Sequence, residues 1–556
     1  MTAKVPAVAG DLGRVIADWT EQDPDPQTRR QLDDLAKAAN SGDPRAMAEL
    51  VDAFSSRLRF GTAGLRGALG PGPKRMNRVV VGQAAAGLAK YLVDHDLTGG
   101  KVIIGFDARH NSDIFARDTA EIMSGAGFQT MITSGPLPTP LVPFGIRHFG
   151  CVAGVVVTAS HNPPEDNGYK VYLGDASQIV PPADAEISAC IDEVAKHSLG
   201  DVPRSQSYKV IGEELQTAYL DRVACLVPRD APRQVRWVYT PLHGVGASLV
   251  ERAAKACGFP SPHLVAEQAS PDPRFPTVAF PNPEEPGAID LALAQAQAIS
   301  ADLVIANDPD ADRCAIAVIA DGGWRMLTGD ELGVLLGEDA LRRGVRGTYA
   351  CSIVSSSLLS AIAAAYHQPF VYTLTGFKWI GRVPGVVYGY EEAIGYCIDP
   401  DAVPDKDGVS ALIMVLVLTA RLKAEGRSLA DRLDDIARRH GVYQTDQLSV
   451  RVPDPKIITS AMARLRAHPP RILAGQPTSV LDLAHDNHEL PSTDAVLITG
   501  EMIKIVVRPS GTEPKLKCYL EVHLSTPQSA DLAARRIEAR SILETIRSEM
   551  SALLGL

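Results

Sequence analysis

Three carboxylates stand at alternate positions directly after the apolar residues 303–306: Asp308, Asp310 and Asp312. Carboxylates this close repel one another unless a cation lies among them, and Mg²⁺ is a hard divalent cation that prefers such oxygen ligands. An EF-hand loop beginning at Asp308 is excluded, because its sixth and twelfth positions would be Arg313 and Ile319 instead of glycine and glutamate. A solvated acidic loop is the alternative, but it leaves the buried-strand pattern before the loop unexplained.

A serine that could accept a transferred group follows a second apolar run. Residues 151–157 are apolar, and the chain then reads Thr158-Ala-Ser160-His161-Asn-Pro. Ligands of open α/β sheets gather at the carboxyl ends of strands, so the Ser160 hydroxyl is well placed to react. The same residue types are also common in turns and helix caps. The flanking glycines of a G-x-S-x-G hydrolase elbow are absent.

A loop near the end of the chain combines hydroxyls, a glycine and two cations: Arg508, Ser510, Gly511, Thr512 and Lys515. These groups can hold a phosphate, because cations and hydroxyls donate to its oxygens and glycine permits a close backbone approach. The Walker pattern G-x-x-x-x-G-K is absent, so no P-loop is predicted. A plain hairpin loop is the alternative.

Adjacent carboxylates, Glu391 and Glu392, suggest a sugar contact, because a carboxylate accepts hydrogen bonds from hydroxyls in fixed geometry. Two surface glutamates at a turn are the alternative. Other polar or charged residues stand in or beside glycine turns: Arg66, Thr375, Gly376 and Lys406.

The elements that must position these loops follow from the hydrophobic pattern. After the first fifty residues, which are polar and helix-prone, Val/Ile-rich runs alternate with Ala/Leu-rich stretches. This alternation predicts parallel strands in α/β layers. A similar pair of runs occurs three times: residues 101–105 with 151–157, 235–239 with 303–306, and 349–353 with 370–374. The pattern predicts one α/β unit repeated three times.

Bulk properties exclude several classes of protein. The chain has 556 residues, too many for one hydrophobic core, and its net charge of -11 argues against a nucleic-acid partner. The eight cysteines are scattered singly, as in proteins of reducing compartments. The N-terminus lacks a signal-peptide pattern, and the longest apolar run, residues 411–418, is far shorter than the roughly 20 residues of a membrane span. We therefore expect a cytoplasmic protein without a membrane partner.

Three motifs occur in a fixed order: T-A-S-H-N-P, D-P-D-A-D-R and R-P-S-G-T-E-P-K. In this order they resemble the α-D-phosphohexomutases, a family that includes phosphoglucomutase and phosphomannomutase. The resemblance runs from about Arg59 to the C-terminus. It implies an α/β fold with four domains around a central cleft, three of them related α/β domains with mixed sheets and the last a smaller α+β domain.

The expected boundaries assign one chemical loop to each domain. They are residues 1–50 for a helical N-terminal extension, 51–204 for domain I with the phosphoserine loop, 205–322 for domain II with the metal-binding loop, 323–446 for domain III with the sugar-binding loop, and 447–556 for domain IV with the phosphate-binding loop.

The resemblance also implies a role for each candidate residue. Ser160 is expected to carry the phosphoryl group and to ligate Mg²⁺ together with the three aspartates. The expected catalytic residues are Ser160, His161, Lys170 and Arg66. Lys170 is the favoured general base, with a lowered pKa, and Lys406 is the second candidate for this role. The expected substrate-binding residues are Arg313, Thr375, Gly376, Glu391, Glu392, Lys406, Arg508, Ser510, Gly511, Thr512 and Lys515.

The implied reaction interconverts hexose 1-phosphate and hexose 6-phosphate through a phosphoserine and a hexose 1,6-bisphosphate, which is both intermediate and activator. The run Glu391-Glu392-Ala393 has alanine where many phosphoglucomutases have serine. It is similar to the phosphoglucomutase-2/phosphopentomutase branch, and α-D-glucose phosphates are the first expected substrates. The alternatives are a phosphomannomutase, a phosphopentomutase, a magnesium-dependent sugar phosphatase and a non-catalytic phosphosugar-binding protein. The expected partners are small phosphosugars, and the expected assembly is a monomer or homodimer.

Overall fold

The structure is a computed structural model that describes residues 11–61, 64–320, 322–452, 454–485, 490–510, 515–527 and 531–555. Contacts divide the described residues into two compact units. The first lies within Met1–Ile316 and Asp401–Met414, and the second within Ala317–Pro400 and Val415–Leu556. No helix in these described ranges is long and apolar enough to cross a membrane.

Three helices open the first unit: α1 (Asp11–Gln22), α2 (Pro26–Asn40) and α3 (Pro44–Phe54). The last two begin where the sequence caps them, because Asp25 and Asp43 each accept a hydrogen bond from the backbone of the first turn and a proline follows. Apolar side chains of all three helices, among them Ile16, Leu32 and Leu50, join the core of the α/β domain that follows.

That domain contains six strands and five helices: β1 (Leu65–Ala68), α4 (Arg78–Asp94), β2 (Lys101–Phe106), α5 (Ser112–Gly125), β3 (Gln129–Thr133), α6 (Leu141–Phe149), β4 (Cys151–Val157), β5 (Asp166–Leu173), α7 (Ala183–Val194), β6 (Lys209–Ile211) and α8 (Glu213–Cys225). The strand order is β1-β5-β4-β2-β3-β6. The strands β2, β3, β4 and β6 pair in parallel, whereas β5 and β1 are antiparallel additions at one edge. In this register Lys170 on β5 lies opposite Val156, near the end of β4.

A second α/β segment follows: β7 (Trp237–Thr240), α9 (Gly246–Ala256), β8 (His263–Leu264), α10 (Asp290–Ala298) and β9 (Leu303–Ala306). The strands β8 and β9 flank β7 and pair with it in parallel. The next strand, β10 (Ala315–Ala320), forms an antiparallel hairpin with β11 (Gly323–Met326). This hairpin spans the expected boundary at residue 322.

The second unit continues with a third α/β segment: α11 (Gly329–Arg342), β12 (Thr348–Ser352), α12 (Leu358–Ala365), β13 (Phe370–Thr373), α13 (Phe377–Ile380), β14 (Val386–Glu391), β15 (Gly395–Cys397), α14 (Gly408–Ala424) and α15 (Leu429–His440). The first turns of α14 belong to the first unit. The sheet order is β13-β12-β14-β15, and only β15 is antiparallel to its neighbour.

The chain ends in an α+β segment: β16 (Val442–Arg451), α16 (Pro455–Ala467), β17 (Ile472–Leu473), β18 (Gln476–Pro477), β19 (Ser479–Asp482), β20 (Val496–Thr499), β21 (Ile503–Pro509), β22 (Lys515–Leu524) and α17 (Leu532–Leu554). Five of these strands form an antiparallel sheet in the order β16-β22-β21-β20-β19. Alternate residues such as Ile505 and Leu520 share one core with Leu543 and Ile546 of α17.

Candidate active site

Two loops of the first unit meet at Ser160 and Asp308. One loop leaves the end of β4 and the other leaves the end of β9, the positions where ligands bind in α/β sheets. The Ser160 hydroxyl donates a hydrogen bond to Asp308 Oδ2 at 2.7 Å. Ser160 is 3 % exposed and Asp308 is fully buried. The structure therefore brings together the first two groups that the sequence singled out, although 148 residues separate them.

The backbone at Ser160 has an unusual conformation. Its φ is +53°, in the left-handed region that residues with a side chain seldom adopt. The Ser160 N–H donates to Thr158 Oγ1 at 2.8 Å, which satisfies a donor that has left the strand ladder. Residues in this region persist only where their surroundings hold them, and they cluster at functional sites.

His161 contacts the same hydroxyl. Its Nδ1 atom lies 3.0 Å from Ser160 Oγ. Because the serine proton points toward Asp308, this arrangement makes His161 Nδ1 the donor and Ser160 Oγ the acceptor. Burial, together with the positive charges of Arg313 and Arg66, holds the pKa of His161 well below its ordinary value. The ring is therefore neutral at neutral pH.

The three aspartates form one buried cluster: Asp308, Asp310 and Asp312, with one carboxylate oxygen from each lying within 4.8 Å of the others. Lys170 Nζ lies 2.8 Å from Asp310 Oδ2 and 2.9 Å from Asp312 Oδ2. The second oxygens, Asp310 Oδ1 and Asp312 Oδ1, are buried and have no hydrogen-bond partner in the described part of the chain. Buried acceptors without donors, beside three carboxylates, fit a hard divalent cation such as Mg²⁺.

The expected lowered pKa of Lys170 is wrong for this arrangement. Burial alone lowers it, but attraction to Asp310 and Asp312 outweighs burial and raises the pKa above its ordinary value. The pKa of Lys406 is raised in the same way, since its Nζ lies 3.3 Å from Asp312 Oδ2. Lys406 lies in residues 401–414, which belong to the first unit.

The pKa values of Asp310 and Asp312 shift in opposite directions. Burial and the neighbouring Asp312 charge raise the pKa of Asp310. Burial also acts to raise the pKa of Asp312, but Lys170 and Lys406 lower it below its ordinary value. Asp312 therefore stays ionised and attracts the cations of the site.

Two arginines border the cluster. Arg66 Nη1 donates to Asn162 Oδ1 at 3.0 Å, beside the Ser160 loop, and burial lowers the pKa of Arg66. The backbone N–H of Arg313 donates to Asp308 Oδ1 at 3.0 Å, which orients the carboxylate that faces Ser160. All residues expected at the transfer site thus lie in one unit.

Sequence reasoning missed Thr139. Its hydroxyl donates to Asp310 Oδ2 at 2.5 Å, and its N–H donates to the Asp310 carbonyl at 2.9 Å. Thr139 stands between two prolines in the loop after β3, a strand of the sheet whose β4 leads to Ser160. A hydroxyl at the carboxyl end of a parallel strand is the signal that could have found it.

The expected sugar-binding residues lie in the second unit, where the two glutamates have different partners. Glu391 Oε1 accepts the N–H of Gly376 at 2.5 Å, and Gly376, which follows Thr375, has a φ of +115° that favours glycine. Glu392 Oε2 accepts hydrogen bonds from the Ser352 and Ser355 hydroxyls, each at 3.1 Å.

The expected phosphate loop joins β21 to β22. Arg508 lies on β21, and the Ser510 N–H donates to the Lys515 carbonyl at 2.8 Å, which closes the base of the loop. Gly511 and Thr512 lie outside the described residues. On the same strand as Arg508, Lys504 donates to the Ser355 carbonyl at 2.8 Å.

Comparison with known proteins gives four consecutive family matches. The family description "Phosphoglucomutase/phosphomannomutase" matches residues 57–198 as domain I, 217–322 as domain II, 328–440 as domain III and 448–539 as the C-terminal domain. A Haemophilus influenzae protein named "Probable phosphomannomutase" is 47% identical over 462 residues, which cover 82% of this chain and 95% of that protein. The chain belongs to the phosphoglucomutase/phosphomannomutase family. This confirms the predicted family and the α/β class with four domains.

Other relatives agree with this family membership. The Homo sapiens protein named phosphopentomutase is 35% identical over 594 residues, which cover 96% of this chain and 95% of that protein. A solved structure of a phosphoglucomutase/phosphomannomutase family protein from Burkholderia thailandensis has a TM-score of 0.68 at 19% identity, covering 90% of this chain and 98% of that one, and supports the fold. Relatives of this chain are named mutases, which are enzymes of the phosphotransferase type, and the chain is such an enzyme.

Proposed function

We propose that this family member is a magnesium-dependent phosphohexomutase that interconverts α-D-glucose 1-phosphate and α-D-glucose 6-phosphate. Ser160 carries the phosphoryl group, and glucose 1,6-bisphosphate is the intermediate and activator. The observation that supports this most directly is the 2.7 Å contact between Ser160 Oγ and Asp308 Oδ2 inside a cluster of three aspartates. In this proposal a nucleophile or phosphoryl carrier lies beside the oxygen ligands of a divalent cation.

Charge is arranged for phosphoryl transfer, which depends on positioning and electrostatic stabilisation. In the proposal Mg²⁺ is held by the three aspartates and an oxygen on Ser160, and it supplies positive charge for the phosphoryl group. Arg66 and Lys406 add cations from the protein, and the neutral His161 ring orients the Ser160 hydroxyl.

Lys170 is proposed to exchange the proton. When phospho-Ser160 donates its phosphoryl group to the free sugar hydroxyl, that hydroxyl loses its proton to Lys170, and Asp308 gives a proton to the released Ser160 oxygen. When Ser160 then takes the other phosphoryl group from the 1,6-bisphosphate, the Lys170 ammonium donates a proton to the departing sugar oxygen, and the Ser160 hydroxyl gives its proton to Asp308 Oδ2, which already accepts its hydrogen bond.

The second unit supplies the proposed sugar and phosphate contacts. Glu391 and Glu392 accept sugar hydroxyls, as carboxylates do in fixed geometry. The remaining proposed contacts of this unit are Thr375, Gly376, Arg508, Ser510, Gly511, Thr512 and Lys515. Five of these residues, Arg508, Ser510, Gly511, Thr512 and Lys515, are proposed to hold the phosphate that is not being transferred. Arg313 and Lys406, which are also proposed substrate contacts, belong to the first unit.

A pentose phosphate is the second candidate substrate, since human phosphopentomutase matches 96% of this chain and alanine follows the glutamate pair. Mannose phosphate is a further candidate from the Haemophilus influenzae relative. The expected domain boundaries, the cytoplasmic location and a monomeric or dimeric assembly remain proposals of the same kind.

The decisive experiment offers three substrates to the purified protein with Mg²⁺ and a trace of glucose 1,6-bisphosphate. Glucose 1-phosphate, mannose 1-phosphate and ribose 1-phosphate are assayed separately, and both the isomerised product and free phosphate are quantified. Preferential turnover of glucose 1-phosphate without phosphate release supports the proposal. Preference for mannose or ribose changes the substrate and keeps the mechanism, whereas phosphate release favours a sugar phosphatase.

A further inference from the structure

One buried arginine holds the backbone of the loop that carries Ser160. The side chain of Arg109, which is 4 % exposed as a residue, lies beneath this loop. Its guanidinium donates to four backbone carbonyls: Ser160 and Pro163 at 2.7 Å, Asp166 at 3.2 Å, and Asn162. A single side chain therefore supplies donors to four carbonyls of residues 160–166.

The loop needs such a donor because its carbonyls have left the sheet. The pairing of β4 with β5 ends at Val156 and Lys170, and within the described residues no backbone N–H donates to the carbonyls of Ser160 and Asn162. Buried carbonyls without donors are costly, and the planar guanidinium offers five N–H donors in fixed geometry. The backbone of Ser160 also has a left-handed conformation, which persists only where surrounding contacts stabilise it.

Arg109 is itself fixed from two sides. Asp107 accepts the Arg109 N–H at 3.0 Å and the Ser112 hydroxyl at 2.7 Å, and its other oxygen lies 3.6 Å from Arg109 Nε. On the opposite side the Phe275 ring covers the guanidinium, with its centroid 4.9 Å from Arg109 Cζ. Phe275 is 2 % exposed and comes from the segment between β8 and α10. An aromatic face at this distance attracts a guanidinium, most strongly where water is excluded.

We propose that Arg109, covered by Phe275, is a positioning residue for phosphoryl transfer. Through the four carbonyls it fixes the direction of Ser160 Oγ relative to Asp308, and it does not contact the substrate. This inference rests on the proposed role of Ser160. Lysine cannot replace Arg109, because its ammonium is a compact point charge and cannot donate to four carbonyls spread along a turn.

The test measures transfer from the phosphorylated enzyme. Wild type and Arg109→Lys are phosphorylated to the same extent with glucose 1,6-bisphosphate, which is verified by intact mass. The rate of phosphoryl transfer to glucose 6-phosphate is then followed in a single turnover. We expect Arg109→Lys to transfer about 100-fold more slowly, since misplacing a reacting group costs on this order.

The matched control is Arg432→Lys. Arg432 is also 4 % exposed, and its guanidinium pairs with Glu338 and Asp435, neither of which is assigned to the reaction. We expect this variant to transfer at the wild-type rate. A folded Arg109→Lys enzyme that transfers at the wild-type rate overturns the proposal. So does an equal slowing of both variants, because that would report general destabilisation.

Phe275→Leu provides a second readout that keeps an apolar cover and removes the aromatic face. We expect a slowing of roughly three- to tenfold, in line with the modest strength of such contacts, with a melting temperature close to wild type. If Arg109→Lys does not fold, this variant decides: slower transfer supports the proposal and unchanged transfer refutes it. An inactive wild-type protein would instead contradict the proposed function.

Discussion

Lys170 Nζ donates a 2.8 Å hydrogen bond to Asp310 Oδ2, and both groups are buried. Buried carboxylates need positive charge close by, and this lysine supplies part of it. A divalent cation held by the same carboxylates would be repelled by the ammonium, so lysine and metal compete for one negative site.

We therefore expect Lys170→Met to affect metal binding and turnover in opposite directions. Methionine has a similar length without the charge, so Mg²⁺ should bind more tightly in calorimetric titration. Turnover should fall by about 10²–10⁴-fold, because a group that exchanges a proton has been removed. Lys209→Met, at an exposed lysine paired with Glu214, is the control and should change neither quantity. Weaker metal binding by Lys170→Met would contradict competition between the ammonium and the metal.

Removal of the metal should abolish mutase turnover. Treatment with EDTA followed by dialysis is expected to leave a folded, inactive enzyme, since Lys170 and Lys406 then compensate only part of the aspartate charge that faces the phosphoryl group. Readdition of Mg²⁺ should restore activity, measured with glucose 1-phosphate. Full turnover after complete chelation, verified by elemental analysis, would show that the aspartate cluster has another role.

Ser160→Ala should lose all mutase turnover while keeping its fold. The serine oxygen is the proposed acceptor of the phosphoryl group, and alanine offers no oxygen in its place. Intact mass after incubation with glucose 1,6-bisphosphate should show one added phosphoryl group on wild type and none on the variant. Mutase activity comparable to wild type in Ser160→Ala would rule out the phosphoserine route.

Thr139→Val tests the contact that sequence reasoning missed. The substitution removes the hydroxyl that donates to Asp310 Oδ2 and leaves the shape of the side chain nearly unchanged. We expect an approximately 10- to 100-fold loss in Mg²⁺ affinity or turnover, the usual cost of removing a partner that orients a metal ligand. Thr130→Val on β3 is the control, because the Thr130 hydroxyl bonds only to the Phe128 carbonyl among the contacts described for it. Equal effects of the two substitutions would assign Thr139 a general structural role.

The stability of the protein should depend on pH through Asp330. Burial raises the pKa of this carboxyl from 3.8 to about 7, and the charges of Glu392 and Glu521 act in the same direction, against hydrogen bonds from Ser356 and Tyr390. Between these two values the folded protein keeps a proton that the unfolded chain has lost, so this contribution to stability is present at low pH and falls as pH rises to about 7.

Asp330→Asn keeps an oxygen acceptor and cannot ionise, so it should remove this dependence. Relative to wild type, the variant should gain stability as pH rises from 4 to about 7, by up to about 4 kcal/mol on the linkage relation. Urea unfolding at several pH values, compared between the two proteins, measures the gain. A difference in stability that stays constant with pH would show that Asp330 is ionised throughout.

The sequence predicted the loops that follow strands, because a buried apolar run ending in polar residues is a local signal. Ser160 and the three aspartates were found in this way. Thr139 was not, since its partner Asp310 is 171 residues away and a threonine between prolines has no local chemical signature. Arg109 was missed for a similar reason: its function depends on the carbonyls it reaches.

The direction of the Lys170 pKa shift could not be predicted from the sequence either. Lys170 was expected to have a lowered pKa because burial has that effect, but the sign depends on two carboxylates that only the fold places beside it. The roles of Thr375, Gly376, Gly511 and Thr512 remain predictions from motif resemblance, the last two on residues outside the described ranges.

Ser355 contacts both the proposed sugar-binding residue Glu392 and the strand that leads to the proposed phosphate loop. Its hydroxyl donates to Glu392, and its carbonyl accepts from Lys504 on the strand that carries Arg508. If Glu392 binds the sugar and the loop after Arg508 binds the phosphate, as proposed, a sugar that draws Glu392 away from Ser355 also alters the surroundings of that strand. The two binding events would then be linked thermodynamically, and the factor by which phosphate changes the affinity for sugar would equal the factor by which sugar changes the affinity for phosphate.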